Sequence, residues 1–482
     1  MSEQSLTKNP NAFVRVFNKI AGVFRSFGER FADGSTGTKM SHFVMGAGNF
    51  AHKQIVKGIL FLLVQLAFVA FMVICPEVNS TPLGWKALRN LGTLGYVSDP
   101  NNTGIGPDGM PIAIPNSMLI LLFGVLTIGV IFLYFGAYLA NISSSYKADL
   151  DERYGDGAST FKQDLASMLD SKFHVTMLSP TVLGVCLFTV LPTIYMILVA
   201  FTSYGGENAI GQTNFGWVGL QNFINIFTNS DSEIHERFLG VLAWTLIWAV
   251  FATVTNYFGG IFLAVLINRK GIKGKVFFRT VFIMTIAIPQ FISLLAMRNL
   301  LSASGPINGM LMNLGLISEP INFLGHELEN QNVHLVRTMI ILINMWVGVP
   351  YTMLMTSGIL MNIPTDLYEA AKVDGAKPVT MFFKITFPYI FFITTPYLIS
   401  SFIGNITSFN IIFMLSGGGP GVAGFKAGRT DLLVTWLYKL TVENSMYNEG
   451  AVIGILTFIF TSAITLITYR RSKSYKEEDT FQ

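Results

Sequence analysis

The sequence predicts an all-α polytopic membrane protein with eight transmembrane helices and both termini in the cytosol. The first observation is composition. Of 482 residues 51% are hydrophobic and only 12% charged, with mean hydropathy +0.52, against about 25% charged in soluble domains. The second is apolar runs near the ~20 residues that a bilayer requires; eight recur, at 58–75, 117–140, 178–203, 241–268, 280–300, 339–361, 387–415 and 450–469. The third is charge. With the N-terminus inside, the cytosolic segments carry 24 Lys and Arg and the outer segments 7, with Arg298 at the outer end of span five, as the positive-inside rule requires. The first run begins too late for a cleaved signal peptide. The net charge of +4 is this inner-leaflet bias; the basic residues are scattered without aromatic interleaving, so no nucleic-acid surface is implied.

In chain order, 1–57 is a cytosolic segment in which 11–31 reads as an interfacial helix. Phe13, Phe17, Ile20, Phe24, Phe27 and Phe31 keep one face, and Arg15, Lys19, Arg25 and Arg30 supply cations for anionic lipid; a charged, disordered tail is the alternative. Residues 58–177 hold two spans, an outer hairpin with turn signals at 101–104 and 107–109, and a cytosolic hairpin, 141–177. Asp149, Asp151, Glu152 and Arg153 there read as a solvated surface, with no His among them in sequence. Spans three to eight, 178–469, form the core, and 470–482 is a cytosolic tail. Span three contains Pro180 and Pro192, tolerated where neighbouring helices satisfy the freed carbonyls. Cys75 and Cys186 lie inside spans, the six histidines match no metal-ligand spacing, and no phosphate-binding G-x-x-x-x-G-K-[ST] occurs.

One polar stretch between spans six and seven stands out. Pro364 and Thr365 open a helix, with Asp366 and Glu369 loading its first turn. Leu367, Ala370, Ala371 and Asp374 share a face, Gly375 stops the helix in the left-handed conformation, and Pro378 restarts a second short one. Phe382 and Phe383 supply apolar contacts. The spacing therefore predicts two short cytosolic helices joined at a glycine, pressed against the membrane, with a small-residue knob and one carboxylate.

Polar groups also cluster in span seven, where Ser401, Asn405 and Ser408 fall on one helical face, and span six offers Trp346, Gly348 and Tyr351. Neutral donors beside aromatic rings suit a sugar. They serve equally as hydrogen-bonding glue between helices. No Asp, Glu, Lys or Arg lies within the interiors of the spans as drawn, which argues against ion coupling and for a neutral cargo driven by a separate engine.

The motif E-A-A-x-x-D-G-A from Glu369 to Ala376, followed by F-x-x-I and Pro388, resembles the coupling loop (364–388) of ABC importer permeases with a type I core. Residues 398–402 through 417–420, and 430–434 with Tyr438, resemble the larger permease subunit of maltose and maltodextrin importers. Phe201–Tyr204 with 215–223 resembles sugar-importing permeases too, although this outer loop is short where some maltose permeases carry a folded insertion. The resemblance implies a bacterial plasma-membrane permease for maltose or maltooligosaccharides, working by alternating access. It is no enzyme: ATP and Mg are bound by two cytosolic partner ATPases, and the chain itself takes no cofactor or metal. A second homologous permease and an extracytoplasmic sugar-binding protein complete the assembly. ATPase coupling is implied for Glu369, Ala370, Ala371, Asp374, Gly375 and Ala376. Sugar contact is implied for Gly348, Tyr351, Ser401, Asn405 and Ser408, with Gly404 where the family can place an aromatic ring. Alternatives are a permease for another oligosaccharide, an ion-coupled secondary transporter, for which neither internal repeats nor an ion site is visible, or a membrane-embedded scaffold or enzyme.

Overall fold

The computed structural model describes residues 22, 25–79, 81–95, 116–155, 157–205, 214–229, 233–269, 271–325 and 332–471. Among them seven helices are long and apolar enough to cross a membrane, and one bent pair makes up to eight. The chain divides into two compact units, Met1–Leu198 with Gln212–Trp217, and Val199–Gly211 with Val218–Gln482.

In the first unit, α1 (Ile55–Ile74) and α2 (Ser117–Tyr154) are the first two spans. The expected end of α2 at 140 is corrected. Hydropathy stops there, but no Gly or Pro interrupts the backbone before Gly155, and the helix runs for 38 residues. At ~1.5 Å per residue that is about 57 Å, nearly twice the ~30 Å hydrocarbon core. What was expected to be a hairpin therefore begins as helix, followed by α3 (Phe161–Leu169) and α4 (Phe173–Val199). Thr160 and Gln163 cap α3 reciprocally.

The extension of α2 organises the N-terminal segment. Asn141, Ser145 and Asp149, at i, i+4 and i+8, lie on one face. Gly46 N donates to Asn141 Oδ1 at 2.8 Å, Asn141 Nδ2 donates to the Ser41 carbonyl at 3.0 Å, Ser145 Oγ meets Ser41 Oγ at 3.2 Å, and Ser35 N donates to Asp149 Oδ2 at 2.8 Å. Asp149 is thus buried rather than on a solvated surface. Arg153 grips both of its oxygens at 2.9 and 3.0 Å, and His52 arrives beside it, with its Nδ1 on Glu152. Most of the helix expected over 11–31 lies outside the described residues. Residues 25–33 are helical, but Phe27 and Phe31 set their rings edge-on to His42, at 4.8 and 5.1 Å. This part of the phenylalanine face packs on protein as well as facing outward.

The second unit is built on α5 (Glu233–Asn268). Trp244 and Trp248 of α5 are buried with Leu294, Val336, Ile340 and Ile412 in its main core. The expected straight span 280–300 is instead α6 (Lys275–Ala287) and α7 (Gln290–Leu300), bent by 94°. The cause is Pro289: the residue before a proline is driven out of the helical region, and Ile288 sits at φ −80°, ψ 127°. Span six is α8 (Val333–Met361). After α9 (Thr365–Val373), α10 runs over Pro378–Ile406. It is one helix from the expected short restart into the membrane, with a wider turn at Phe382–Thr386. Span seven thus begins earlier than 387 and ends at Ile406, and α11 (Phe409–Leu415) is separate. The unit closes with α12 (Leu433–Tyr438) and α13 (Tyr447–Arg471). Phe201 and Phe223 of the two outer aromatic stretches meet at 5.3 Å, and Asn222 Nδ2 donates to the carbonyls of Ala200 and Thr202, each at 2.8 Å.

Candidate functional site

The glycine stop of α9 has the expected form. Gly375 sits at φ +74°, Gly375 N donates to the Lys372 carbonyl at 3.0 Å, and Ala376 N donates to the Ala371 carbonyl at 2.9 Å. These two bonds are the Schellman pattern that closes a helix end. Pro378 occupies the start of α10. Glu369, Ala370, Asp374 and Gly375 are exposed, and Ala371 and Ala376 half-buried. Beside them Val373 is 89% and Val379 67% exposed. A helix whose end bonds are internally satisfied while its apolar side chains stand free has the character of a docking surface.

This surface is mechanically tied to α10. Tyr368 OH shares a hydrogen bond with Thr386 Oγ1 at 2.8 Å. Phe382 packs with Phe387 in a core cluster, while Phe383 remains 62% exposed. These contacts fix α9 to the foot of α10, from which Ser401 and Asn405 lie about 22 and 28 Å along the helix axis.

Two of the expected positions, Asn405 and Gly348, meet α5. Asn405 Nδ2 donates to Thr253 Oγ1 at 2.9 Å, and the Asn405 carbonyl accepts from Trp248 Nε1 at 3.1 Å. One turn further along α5, Asn256 lies against Gly348 of α8. A Cβ on Gly348 would come within 2.2 Å of Asn256 Nδ2, so glycine there is what lets the two helices approach. Gly260 of α5 is likewise closed over by Thr352. Ser401 is half-buried on α10. The shared face expected for Ser408 is corrected: α10 has ended at Ile406, and Ser408 is the residue that opens α11. Tyr351 is 51% exposed and lies 5.8 Å from the Tyr397 ring, whose hydroxyl shares a hydrogen bond with Thr352 Oγ1 at 3.1 Å. Gly404 has open space where a side chain would project.

Thr253 and Asn256 went unnoticed in the sequence. Their signal was polar residues three apart inside the apolar run 241–268. Both are buried, and Asn256 Oδ1, like Asn344 Nδ2 one turn before Gly348, has no hydrogen-bond partner among the described residues. Hydrogen-bonding capacity uncommitted to protein is costly in an apolar setting, and here both atoms are closed off between α5 and α8.

The glycine-rich stretch 417–428 folds around one carboxylate. Asp431 accepts from Gly428 N at 2.7 Å, Thr435 Oγ1 at 2.8 Å and Lys439 Nζ at 2.6 Å. Burial pushes its carboxyl above the ordinary range, and the Lys439 ammonium acts against that shift. A Cβ on Gly418, at φ +83°, would collide with Asp431 Oδ1 at 2.0 Å.

A polytopic helical chain with an exposed helix–glycine–helix surface tied to a membrane span has the architecture of a permease driven by a partner. Residues 256–473 match the family described as binding-protein-dependent transport system inner membrane component. Among relatives, the galactooligosaccharides transport system permease protein GanP of Bacillus subtilis is 32% identical over 437 residues, spanning 90% of this chain and 97% of that protein. The maltodextrin transport system permease protein MalC of Streptococcus pneumoniae is 33% identical over 443 residues, spanning 90% and 95%. The maltose/maltodextrin permease protein MalF of Salmonella typhimurium is 36% identical over 262 residues, but these span 53% of this chain and 49% of that one. A solved bacterial alginate ABC transporter, crystallised with an alginate-bound periplasmic protein, shares the fold at 20% identity and TM-score 0.51, covering 64% of this chain and 96% of its own. The chain belongs to the binding-protein-dependent inner-membrane permease family: it is a multi-pass, non-catalytic permease subunit of an ABC importer. That membership removes the ion-coupled secondary transporter.

Proposed function

We propose that this chain forms the sugar path of a bacterial plasma-membrane importer for maltooligosaccharides. It works with a second homologous permease, two cytosolic ATPases that bind ATP and Mg, and an extracytoplasmic sugar-binding protein. The observation that carries the reading is the mechanical line from the exposed α9 surface, through Tyr368 and Thr386, along α10 to Ser401 and Asn405. ATPase closure displaces Glu369, Ala370, Ala371, Asp374, Gly375 and Ala376 as one docked element. α10 moves with it, and the Asn405–Thr253 contact against α5 is remade as access alternates. Tyr351, Ser401, Asn405 and Ser408 offer the sugar neutral hydrogen bonds and a ring surface, while Gly348 sets how closely α8 and Asn256 of α5 approach beside them. Similarity to MalC supports maltodextrin as the cargo.

A second reading has its own support: GanP, at comparable identity and coverage, is named for galactooligosaccharides. Reconstituting the assembled importer in proteoliposomes and measuring uptake of labelled maltotriose against a β-linked galactotriose separates the two. Maltotriose uptake dependent on ATP and the binding protein is expected. Transport of the galactotriose alone would assign the second cargo, and transport of neither would remove the oligosaccharide reading.

A further inference from the structure

The first unit carries a groove outside the sugar path proposed above. At the expected cytosolic ends of α1, α2 and α4, a polar cavity of about 280 Å³ is lined by Lys57, Lys147 and Lys172, with Asp151 and Asp164. It opens into an apolar cavity of about 420 Å³, which shares Lys57 and Lys172 and is walled by Leu60, Phe61, Ala137 and α3. A third, apolar cavity of about 500 Å³ shares Val64 and Ala137 and continues between α1 and α2 as far as Phe71 and Val130. Charged at one end and apolar along its length, the groove has the polarity of a lipid.

The charges have a definite sign. Lys57 is paired with Asp164, which also accepts from Ser159 Oγ at 3.0 Å. Lys147 and Lys172 have no ion-pair partner among the described residues. Counting the lining, Lys57, Lys147 and Lys172 stand against the two carboxylates of Asp151 and Asp164, so the head of the groove keeps a net positive charge. From Lys57 to Phe71 the groove follows α1 for about 21 Å, more than the ~15 Å half-thickness of the hydrocarbon core. Ala137 of α2 leaves the gap that a chain would fill. The setting also fits. Phe161, Leu165 and Met168 of α3 line the apolar cavity and are 47–51% exposed, so the groove presents an open apolar wall beside its charged head.

We infer that this groove binds an anionic glycerophospholipid of the inner leaflet, its phosphodiester between Lys147 and Lys172 and one acyl chain between α1 and α2. Lys57, already paired, closes the neck and keeps the headgroup from sinking. A zwitterionic lipid would bring its own ammonium against the two lysines.

The test is native mass spectrometry of the full-length chain in its assembled complex, exchanged with phosphatidylglycerol or phosphatidylcholine carrying the same palmitoyl and oleoyl chains. The parent should retain phosphatidylglycerol in preference. Lys147→Gln with Lys172→Gln should reduce its adducts roughly tenfold or more, since each lysine at a membrane surface contributes strongly to anion binding. Ala137→Phe should reduce both lipids by filling the chain channel, and Lys162→Gln, on α3 outside the cavity, should leave binding unchanged. Equal retention of the two lipids, or undiminished phosphatidylglycerol adducts in the double lysine variant, would overturn the assignment. So would inorganic phosphate displacing the lipid while Ala137→Phe had no effect, because the site would then take free phosphate.

Discussion

Gly375 offers an unusually clean perturbation. It holds φ +74°, yet nothing lies within 4 Å of where its Cβ would be. A substitution there meets no steric clash, so its cost is purely conformational. For an ordinary L-residue the left-handed region costs roughly 1–2 kcal/mol. Asparagine tolerates it better, and β-branched residues are genuine outliers. Since 1–2 kcal/mol is roughly a 5- to 30-fold change in an equilibrium ratio, Gly375→Ala should lower the ratio of closed to open α9 ends by that factor. The apparent affinity for the ATPases should fall as the closed fraction falls, by up to the same factor. Gly375→Asn should fall less and Gly375→Val more. The assay is titration of purified ATPase onto the permease complex in nanodiscs, read as binding and as sugar-stimulated hydrolysis. High ATPase concentration should restore Ala and Asn. If Val bound like the parent, α9 would not be the docking element. If Asn were as poor as Val, a partner side chain against Gly375 would be responsible instead of its backbone.

Three further outcomes are expected. Asn405→Ala should reduce sugar uptake about tenfold or more while stability falls by only about 0.5–1.5 kcal/mol for the lost bond to Thr253; if Thr253→Val alone matched it in both respects, Asn405 would only join α10 to α5. Gly348→Ala should destabilise the solubilised chain by about 1–3 kcal/mol through overpacking against Asn256, and Asn256→Ala should relieve it; a thermal melt unchanged by either would refute the close approach. Asp431→Asn should cost about 1–3 kcal/mol by leaving the partly buried Lys439 without its counter-charge, with Lys439→Met restoring much of the loss. Normal melting of Asp431→Asn would mean that the glycine-rich turn holds without the ion pair.

What was legible in the sequence was local. Gly375 and Pro378 announce their positions because a left-handed stop and a helix start are decided within a few residues. Pro289 carried the same kind of signal and was overlooked inside an apolar run. Ser408 was misplaced because one continuous span was drawn through Thr407, where α10 stops. Asp149 was misread for a different reason: its partners Ser35 and His52 lie about 100 residues away, and only α2 continuing past the membrane brings them together. Thr253 and Asn256 escaped because their meaning depends on which helices face α5, and spacing along one chain segment does not encode that.

The unbroken extension of α2 also fixes an angular register. Each residue of an α-helix advances about 100°, so one residue inserted between the membrane portion and Asn141 would swing the whole row Asn141, Ser145, Asp149 by more than a quarter of a circle. The backbone donors of Gly46 and Ser35 could not follow without leaving α1, to which they are joined through Gln54. Length changes in this region are therefore quantised: three- or four-residue steps nearly preserve the facing direction, and one- or two-residue steps destroy it. Among natural variants of this subunit, the distance from bilayer to N-terminal segment should change by whole helical turns.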